Sequence, residues 1–159
     1  MEVLFEGVES TQLHRRLKTL MQYCLAHYNL SGSNVYIDFR VEEDFGYDAE
    51  AGVADHADEE WPEDFEITVD PELLKDEEKL LQTIAHEMVH IIQYMDIRLI
   101  VKGKTFIWNG KVYPTSDKIT HAEYYAFPWE VEAYGMEKAL YHGFLESEQK
   151  IEKLMSLMS

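Results

Sequence analysis

Hydrophobic residues recur at three- and four-residue spacings in two long segments of the chain. From Ser10 to Tyr28 this spacing predicts an amphipathic helix. A second apolar stripe predicts a helix that begins near Asp76, which has the residue type and position of an N-cap. At about 100° per residue, His86 and His90 lie opposite this stripe. We therefore expect the two histidines to face away from the core.

Alternating apolar and polar positions predict strands at 34–41 and 65–70. Segment 97–114 also has β character, and its Asn109-Gly110 pair is a strong signal for a type I′ hairpin, either a lid or an edge. We expect 34–41, 65–70 and part of 97–113 to form one small mixed or antiparallel sheet. In that sheet, 65–70 would be the edge strand that borders a cleft.

The C-terminal part of the chain is predicted to be helical. Pro128 can occupy the first turn of a helix, which we expect to break near Gly143. A final amphipathic segment, 144–158, follows the break. Together these elements predict an α+β fold in which the central helix packs across a small sheet and further helices lie at both ends.

Composition and charge narrow the picture. With 159 residues, 46% of them apolar, the chain can bury one core, so we expect a single domain over 1–159. Acidic residues outnumber Lys and Arg by 31 to 14, which makes nucleic acid an unfavourable partner. No signal peptide or membrane span is evident from residue 1 onward. We expect a soluble, cytoplasmic monomer.

The acidic residues concentrate in one segment, 42–64, which has eleven Asp or Glu and no Lys or Arg. Repulsion between these charges, together with the glycines and the proline in the segment, predicts an exposed loop. A calcium site is the alternative, but the spacing does not fit the D-x-[DN]-x-[DN]-G loop.

The motif with the most chemical content is His86-Glu87-Met88-Val89-His90. Two histidines four residues apart stack on one helix face, close enough to bind a single Zn²⁺ ion. Glu87 lies beside that face, where it can act as a general base. The alternative interpretation is a helix with two ordinary surface histidines. The position of the motif, after a strand and opposite the apolar stripe, favours the zinc site.

A catalytic zinc ion usually has three protein ligands, so the sequence should contain a third. The metzincin pattern H-E-x-x-H-x-x-G-x-x-H is excluded, because Gln93 and Asp96 stand at its later positions. Three candidates remain downstream: Glu130, Glu132 and His121. The helical wheel leaves Glu130 and Glu132 open, since both flank the apolar stripe of their helix.

The H-E-x-x-H helix followed by E-x-E-A at a helix start resembles the minimal gluzincin pattern of ImmA/IrrE-like peptidases. It also resembles small phage and bacterial peptidases that carry Ala-His-Glu-Met-Val-His and Pro-Trp-Glu-Val-Glu-Ala. The resemblance covers roughly residues 65–140. It implies a zincin-like fold, a Zn²⁺ cofactor and Glu130 as the third ligand. The SprT-like group uses a histidine instead, which keeps His121 among the candidates.

The chain departs from these families at Tyr134, where they carry Asp or Asn near the metal. The orientation of a ligand histidine would then depend on a different hydrogen bond. Tyr124, Tyr125 and Tyr134 are candidates to donate a phenol hydrogen bond to an oxyanion. The chain has ten tyrosines, however, and most must serve packing.

The function predicted from these motifs is hydrolysis of a peptide or protein substrate by a zinc metallopeptidase. One alternative is a metal-binding interaction or regulatory protein without catalysis, in which a glutamate between the histidines would have no role. A further possibility is a regulator that cleaves one partner protein, as some ImmA/IrrE-like proteins do.

Overall fold

The computed structural model describes residues 1–54, 61–114, 116 and 118–159. Within these ranges, seven strands and four α-helices follow one another, with a short 3₁₀ helix at Pro71–Lys75. This α+β composition, with a small mixed sheet, confirms the predicted fold class. The elements are β1 (Glu2–Glu6), α1 (Thr11–His27), β2 (Tyr36–Val41), β3 (Ala49–Val53), β4 (Asp64–Val69), α2 (Glu77–Met95), β5 (Leu99–Lys102), β6 (Thr105–Trp108), β7 (Lys111–Pro114), α3 (His121–Ala126) and α4 (Pro128–Met158).

The main sheet has the strand order β1-β2-β4-β3. Strands β1, β2 and β4 are parallel, while β3 pairs antiparallel with β4. The first three elements, β1, α1 and β2, therefore form a parallel crossover unit. The sequence pattern missed β1, so the predicted opening of helix then strand was incomplete.

The hydrophobic core lies between the main sheet and helices α1 and α2. Alternate residues of β2 and β4 point into this core, as their apolar and polar alternation predicted. The apolar stripes of both helices pack against them. The largest fully buried side chains include Phe39, Phe65, Leu17, Leu20, Met21, Leu81, Ile84 and Met88.

The N-terminal ends of α1 and α2 agree with the predicted helices. The side chain of Ser10 accepts a hydrogen bond from the backbone N–H of Leu13, and that of Asp76 accepts one from Lys79. Both are N-caps, and Glu77 and Glu78 add negative charge to the first turn of α2. The cap fixes the start of α2 and so places the histidine motif in its second half.

Two predictions about the main sheet were wrong. Residues 49–53, inside the segment expected to be an exposed loop, form β3. Because β3 pairs with β4, the strand at 64–69 is internal and β3 is the edge strand. The short run Ala49-Glu50-Ala51-Gly52-Val53 has few β-branched residues, so its pairing depends on β4 and not on its own propensity. The rest of the predicted loop includes residues 55–60, which lie outside the described residues.

Strands β5, β6 and β7 form a separate antiparallel sheet, so the prediction that part of this segment joins the main sheet was wrong. The hairpin itself is as expected, with Asn109 and Gly110 at φ 47° and 82° between β6 and β7. The second sheet packs through Phe106, which stacks on Trp129 at the start of α4. It is therefore held beside α4 and not at the edge of the main sheet.

Helix α4 runs without interruption from Pro128 to Met158, so the predicted break near Gly143 was wrong. The hydroxyl of Tyr23 occupies the space that a Cβ at Gly143 would need. The glycine thus allows α1 and α4 to approach closely and does not end a helix. Although α4 is long, none of the described helices has the apolar length that would be needed to cross a membrane.

Candidate metal centre

Helices α2 and α4 bring His86, His90 and Glu130 together. Pro128 occupies the first turn of α4, which places Glu130 in that turn, above the middle of α2. The exposed fractions of His86, His90 and Glu130 are 6%, 8% and 5%. Both histidines are buried, because α4 packs over the face of α2 that carries them.

The distances within this group match those of a tetrahedral metal site. The two Nε2 atoms of His86 and His90 are 3.1 Å apart. The Glu130 carboxylate meets both rings, with Oε2 3.3 Å from Nε2 of His86 and Oε1 3.3 Å from Nε2 of His90. Two ligand atoms about 2.0–2.1 Å from a tetrahedral Zn²⁺ ion are separated by about 3.4 Å. The three side chains therefore have the spacing of ligands to one ion.

Hydrogen bonds to the other ring nitrogens set the tautomers of both histidines. The Nδ1 atom of His86 lies 2.9 Å from the Glu137 carboxylate, and Nδ1 of His90 lies 2.9 Å from Oε1 of Gln93. Both partners accept, so each Nδ1 carries a hydrogen, and in the neutral form of each ring Nε2 presents a lone pair to the group. The buried Oε2 of Glu130 makes no hydrogen bond. A cation fits this arrangement, because nitrogen and oxygen lone pairs converge there.

The electrostatics of the group also favour positive charge. Burial alone would lower the pKa of His90, but the hydrogen bond to Glu130 and the charges of Glu87 and Glu130 outweigh it and raise the pKa to about 9. Burial would raise the pKa of Glu130, yet both histidines lower it to about 2. A proton on His90 thus has the place that a metal ion would take.

Glu87 lies between the histidines on α2 and is 6% exposed. Burial raises the pKa of its carboxyl, and the neighbouring histidines act in the opposite direction. Glu87 lines the cleft described below, together with His86 and His90. A carboxylate in this position reaches the cleft without belonging to the ligand group.

The other two candidates for the third ligand lie elsewhere. The carboxylate of Glu132 accepts hydrogen bonds from Gln93 at 3.0 Å and from Arg98 at 2.8 Å. His121 is the first residue of α3 and is exposed. The structure brings Glu130, and neither of these residues, to the histidine pair.

The three candidate tyrosines differ in position. Tyr124 lines the cleft, and burial together with the charge of Glu130 raises its pKa. The ring of Tyr134 packs edge-on against His86 at 4.4 Å between centroids, and Tyr125 packs against Tyr134. Of the three, Tyr124 is the one placed to meet a ligand in the cleft.

A cleft of about 660 Å³ opens over the centre. Its floor is α2, and its two walls are the edge strand β3 and the first strand of the second sheet, β5. Within the described residues, neither strand has a partner on the side away from its own sheet. The ligand group therefore lies in a cleft that two edge strands help to line.

Sequence reasoning missed Glu137 and Gln93, which orient the two histidines. Gln93 lies three residues after His90, so it is on the same face of α2. Glu137 lies two turns after Glu130 on α4. Both spacings are readable from the sequence once the ligands are known. The sequence predicted that a residue other than Tyr134 would orient a ligand histidine. For His86, that residue is Glu137.

Comparisons with protein-family models, curated proteins and solved structures found no match. The function therefore has to be inferred from the chemistry of the centre and the cleft.

Proposed function

We propose that this protein is a zinc metallopeptidase of the H-E-x-x-H type, with His86, His90 and Glu130 as zinc ligands. The observation that carries the proposal is the convergence of two Nε2 lone pairs and a buried carboxylate at tetrahedral spacing. Two imidazoles and one carboxylate form the ligand set of an open catalytic zinc site. A structural zinc site usually has four protein ligands and no access to substrate, whereas this group has three among the residues that the structure describes and lies in a cleft.

The chemistry divides between the cofactor and the protein. When bound, Zn²⁺ makes a water molecule more acidic and polarises the carbonyl of the scissile peptide bond. Glu87 accepts the proton from water and delivers it to the leaving amine. The positive charge of a divalent ion beside Glu87 favours its carboxylate form, which opposes the effect of burial on its pKa. Tyr124 lines the cleft, and its hydroxyl, which hydrogen-bonds to Glu130, would turn from that carboxylate to stabilise the oxyanion.

The cleft supports a peptide as the substrate. Both walls are strand edges, and an extended peptide can form main-chain hydrogen bonds with such an edge. The edge strand that borders the cleft is β3 and not the segment 65–70, so β3 takes the role of the peptide-pairing strand. A small-molecule hydrolase would have no need of a cleft lined by two edge strands.

The arrangement also supports the family resemblance as a proposal. A zincin-like domain of the minimal gluzincin type takes its histidines from one helix and its glutamate from a later one, which here are α2 and α4. The rival function is metal-dependent regulation without catalysis. It gives no reason for a buried glutamate at position 87 on the cleft side of the ligand pair.

The test is a comparison of wild-type protein with Glu87→Gln. Wild-type protein purified with added zinc should contain one zinc ion per chain by elemental analysis and should hydrolyse peptides from a mixed library. The variant should keep its zinc and its fold, because the amide preserves volume. Hydrolysis should fall by at least about 100-fold, because an amide cannot accept the proton.

Both proteins must be compared at matched zinc occupancy, since loss of the ion would also abolish hydrolysis. Near-native hydrolysis by Glu87→Gln would contradict the assigned mechanism and favour the non-catalytic function. Absence of stoichiometric zinc in the wild-type protein would refute the metal site itself.

A further inference from the structure

Helix α2 ends in a Schellman motif at the C-terminal end of the cleft floor. The backbone N–H of Ile97 donates to the Tyr94 carbonyl at 3.1 Å, and that of Arg98 donates to the Gln93 carbonyl at 3.0 Å. This motif requires a left-handed conformation at Ile97, whose φ is 58°. Glycine or asparagine usually occupies the position, because a branched Cβ is strained there.

Ile97 differs in kind from the other left-handed residues. The other described non-glycine residues with positive φ are Asn29, Asp44 and Asn109, whose short polar side chains tolerate this conformation. When a β-branched residue is retained in a strained conformation, its side chain is expected to have a function that offsets the strain. The side chain of Ile97 is half-buried and lines the cleft.

The cleft around this end of α2 is largely apolar. Apart from the centre itself, the described lining has two formally charged side chains, Glu50 and Lys102. Helix α2 ends at Met95, about 7.5 Å along the axis from His90, and Ile97 lies just beyond that end. This separation corresponds to about two or three residues of extended peptide. A substrate bound over the centre can therefore place a side chain against Ile97. The apolar lining on this side includes Tyr94, Ile97, Leu99, Ile100, Phe106 and Trp129.

We infer that Ile97 forms the wall of a side-chain subsite, and that the substrates are peptides with a bulky apolar residue within a few positions of the scissile bond. This inference rests on the proposed peptidase function. A bulky apolar side chain gains by leaving water for this wall, whereas a charged one loses hydration against it.

The experiment uses the zinc-loaded full chain and a synthetic decapeptide library that samples every residue except cysteine at each position. Mass spectrometry of the products gives the preference at each position around the cleaved bond. Wild-type protein should prefer Leu, Ile, Met or Phe over Asp, Ser or Gly by about tenfold or more at one position. Ile97→Gly and Ile97→Ala should reduce that preference to below about threefold at the same position.

Two controls separate specificity from stability. Val131→Ala removes an exposed β-branched side chain of α4 outside the cleft lining, and it should keep the wild-type preference. Ile97→Gly should unfold a few degrees above Ile97→Ala, because glycine relieves the left-handed strain that alanine retains. In regular secondary structure, alanine is usually more stabilising than glycine, so the order expected here is reversed.

The possible outcomes are distinct. If the wild-type protein cleaves peptides without an apolar preference, or if both Ile97 variants keep it, the subsite is refuted while the peptidase function stands. If Ile97→Gly is no more stable than Ile97→Ala, the strain at this position is refuted and the inference loses its basis. If the zinc-loaded wild type cleaves no peptide in the library, the proposed function fails and the subsite fails with it.

Discussion

Glu130 and Glu132 lie two residues apart at the start of α4, and their carboxylates have different partners. Glu130 faces the histidine pair, whereas Glu132 accepts hydrogen bonds from Gln93 and Arg98. The helical wheel could not separate them, because both flank the apolar stripe of α4. What separates them is the register of α4 on α2, which depends on tertiary packing and has no local signature in the sequence.

This difference gives a matched pair of variants. Glu130→Gln should weaken zinc binding by at least about 100-fold, because it removes a charged ligand. This loss is larger than the loss expected for a residue that only orients a ligand. Glu132→Gln keeps the shape of a side chain outside the ligand group and should change the affinity by less than about tenfold. Competition with a zinc-binding dye measures both affinities. A larger loss of zinc affinity in Glu132→Gln than in Glu130→Gln would show that the third ligand is misassigned.

Gln93 is expected to contribute to zinc affinity without touching the ion. Its Oε1 accepts from His90, while its Nε2 donates to the Trp129 carbonyl and to Glu132, each at 3.0 Å. The amide is therefore fixed in the orientation that keeps the Nε2 lone pair of His90 free. Gln93→Leu should lower zinc affinity by about 10–100-fold.

The matched control for this variant is Gln82→Leu, the same change on the same helix, away from the ligand group. Zinc titration of both variants, with circular dichroism to check the helix content, makes the comparison. Equal zinc affinity of wild type and Gln93→Leu would mean that the tautomer of His90 does not depend on this hydrogen bond.

At the scale of elements, the strongly periodic segments were predictable and the weakly patterned ones were not. Helices α1 and α2 have clear apolar stripes and capping residues, so their bounds follow from the sequence. Strand β3 lies in an acidic segment with little β propensity, and it forms because β4 offers an open edge. The misplacement of the cleft edge on segment 65–70 follows directly from missing β3.

Gly143 was interpreted as a helix break because glycine lowers helix propensity, but its surroundings decide otherwise. Gly143→Ala should gain helix propensity and lose packing, since the Tyr23 hydroxyl occupies the space of the added methyl group. In a Tyr23→Phe background the closest contact is removed, and the tightest that remains is with the ring carbon Cζ at 3.1 Å. The substitution should then be more favourable by about 1 kcal/mol than in the wild type.

Urea unfolding of the four proteins in this double-mutant cycle measures the coupling. A coupling energy near zero would show that Tyr23 moves aside without cost and that the glycine has no packing role. The same result would leave the continuity of α4 unexplained.

At the scale of the whole molecule, the proposed ligands join two helices that also carry the core. Zinc that binds the folded chain and not the unfolded one adds stability that depends on its free concentration. At about 100 times the dissociation constant this amounts to about 2.7 kcal/mol. For a chain of this size we expect chelation to lower the unfolding midpoint by about 5–10 °C.

Differential scanning calorimetry with and without EDTA measures this shift, and added zinc should reverse it. Glu130→Gln should show little dependence on zinc in the same assay. An identical midpoint in zinc and in EDTA would indicate that the ion does not hold α2 and α4 together.

The ligands also enclose a defined part of the chain. Residues 91–129 leave the ligand group at His90 and return to it at Glu130, and they contain the entire second sheet and α3. A bound ion closes this stretch into a loop, as a crosslink would, and reduces the number of conformations that the stretch can adopt. Loss of the ion would then loosen the wall formed by β5 before the main sheet, which holds its own core. The order of β5 would thus depend on whether the metal site is occupied. Without the ion, a peptide would find only one ordered strand, β3, beside the cleft.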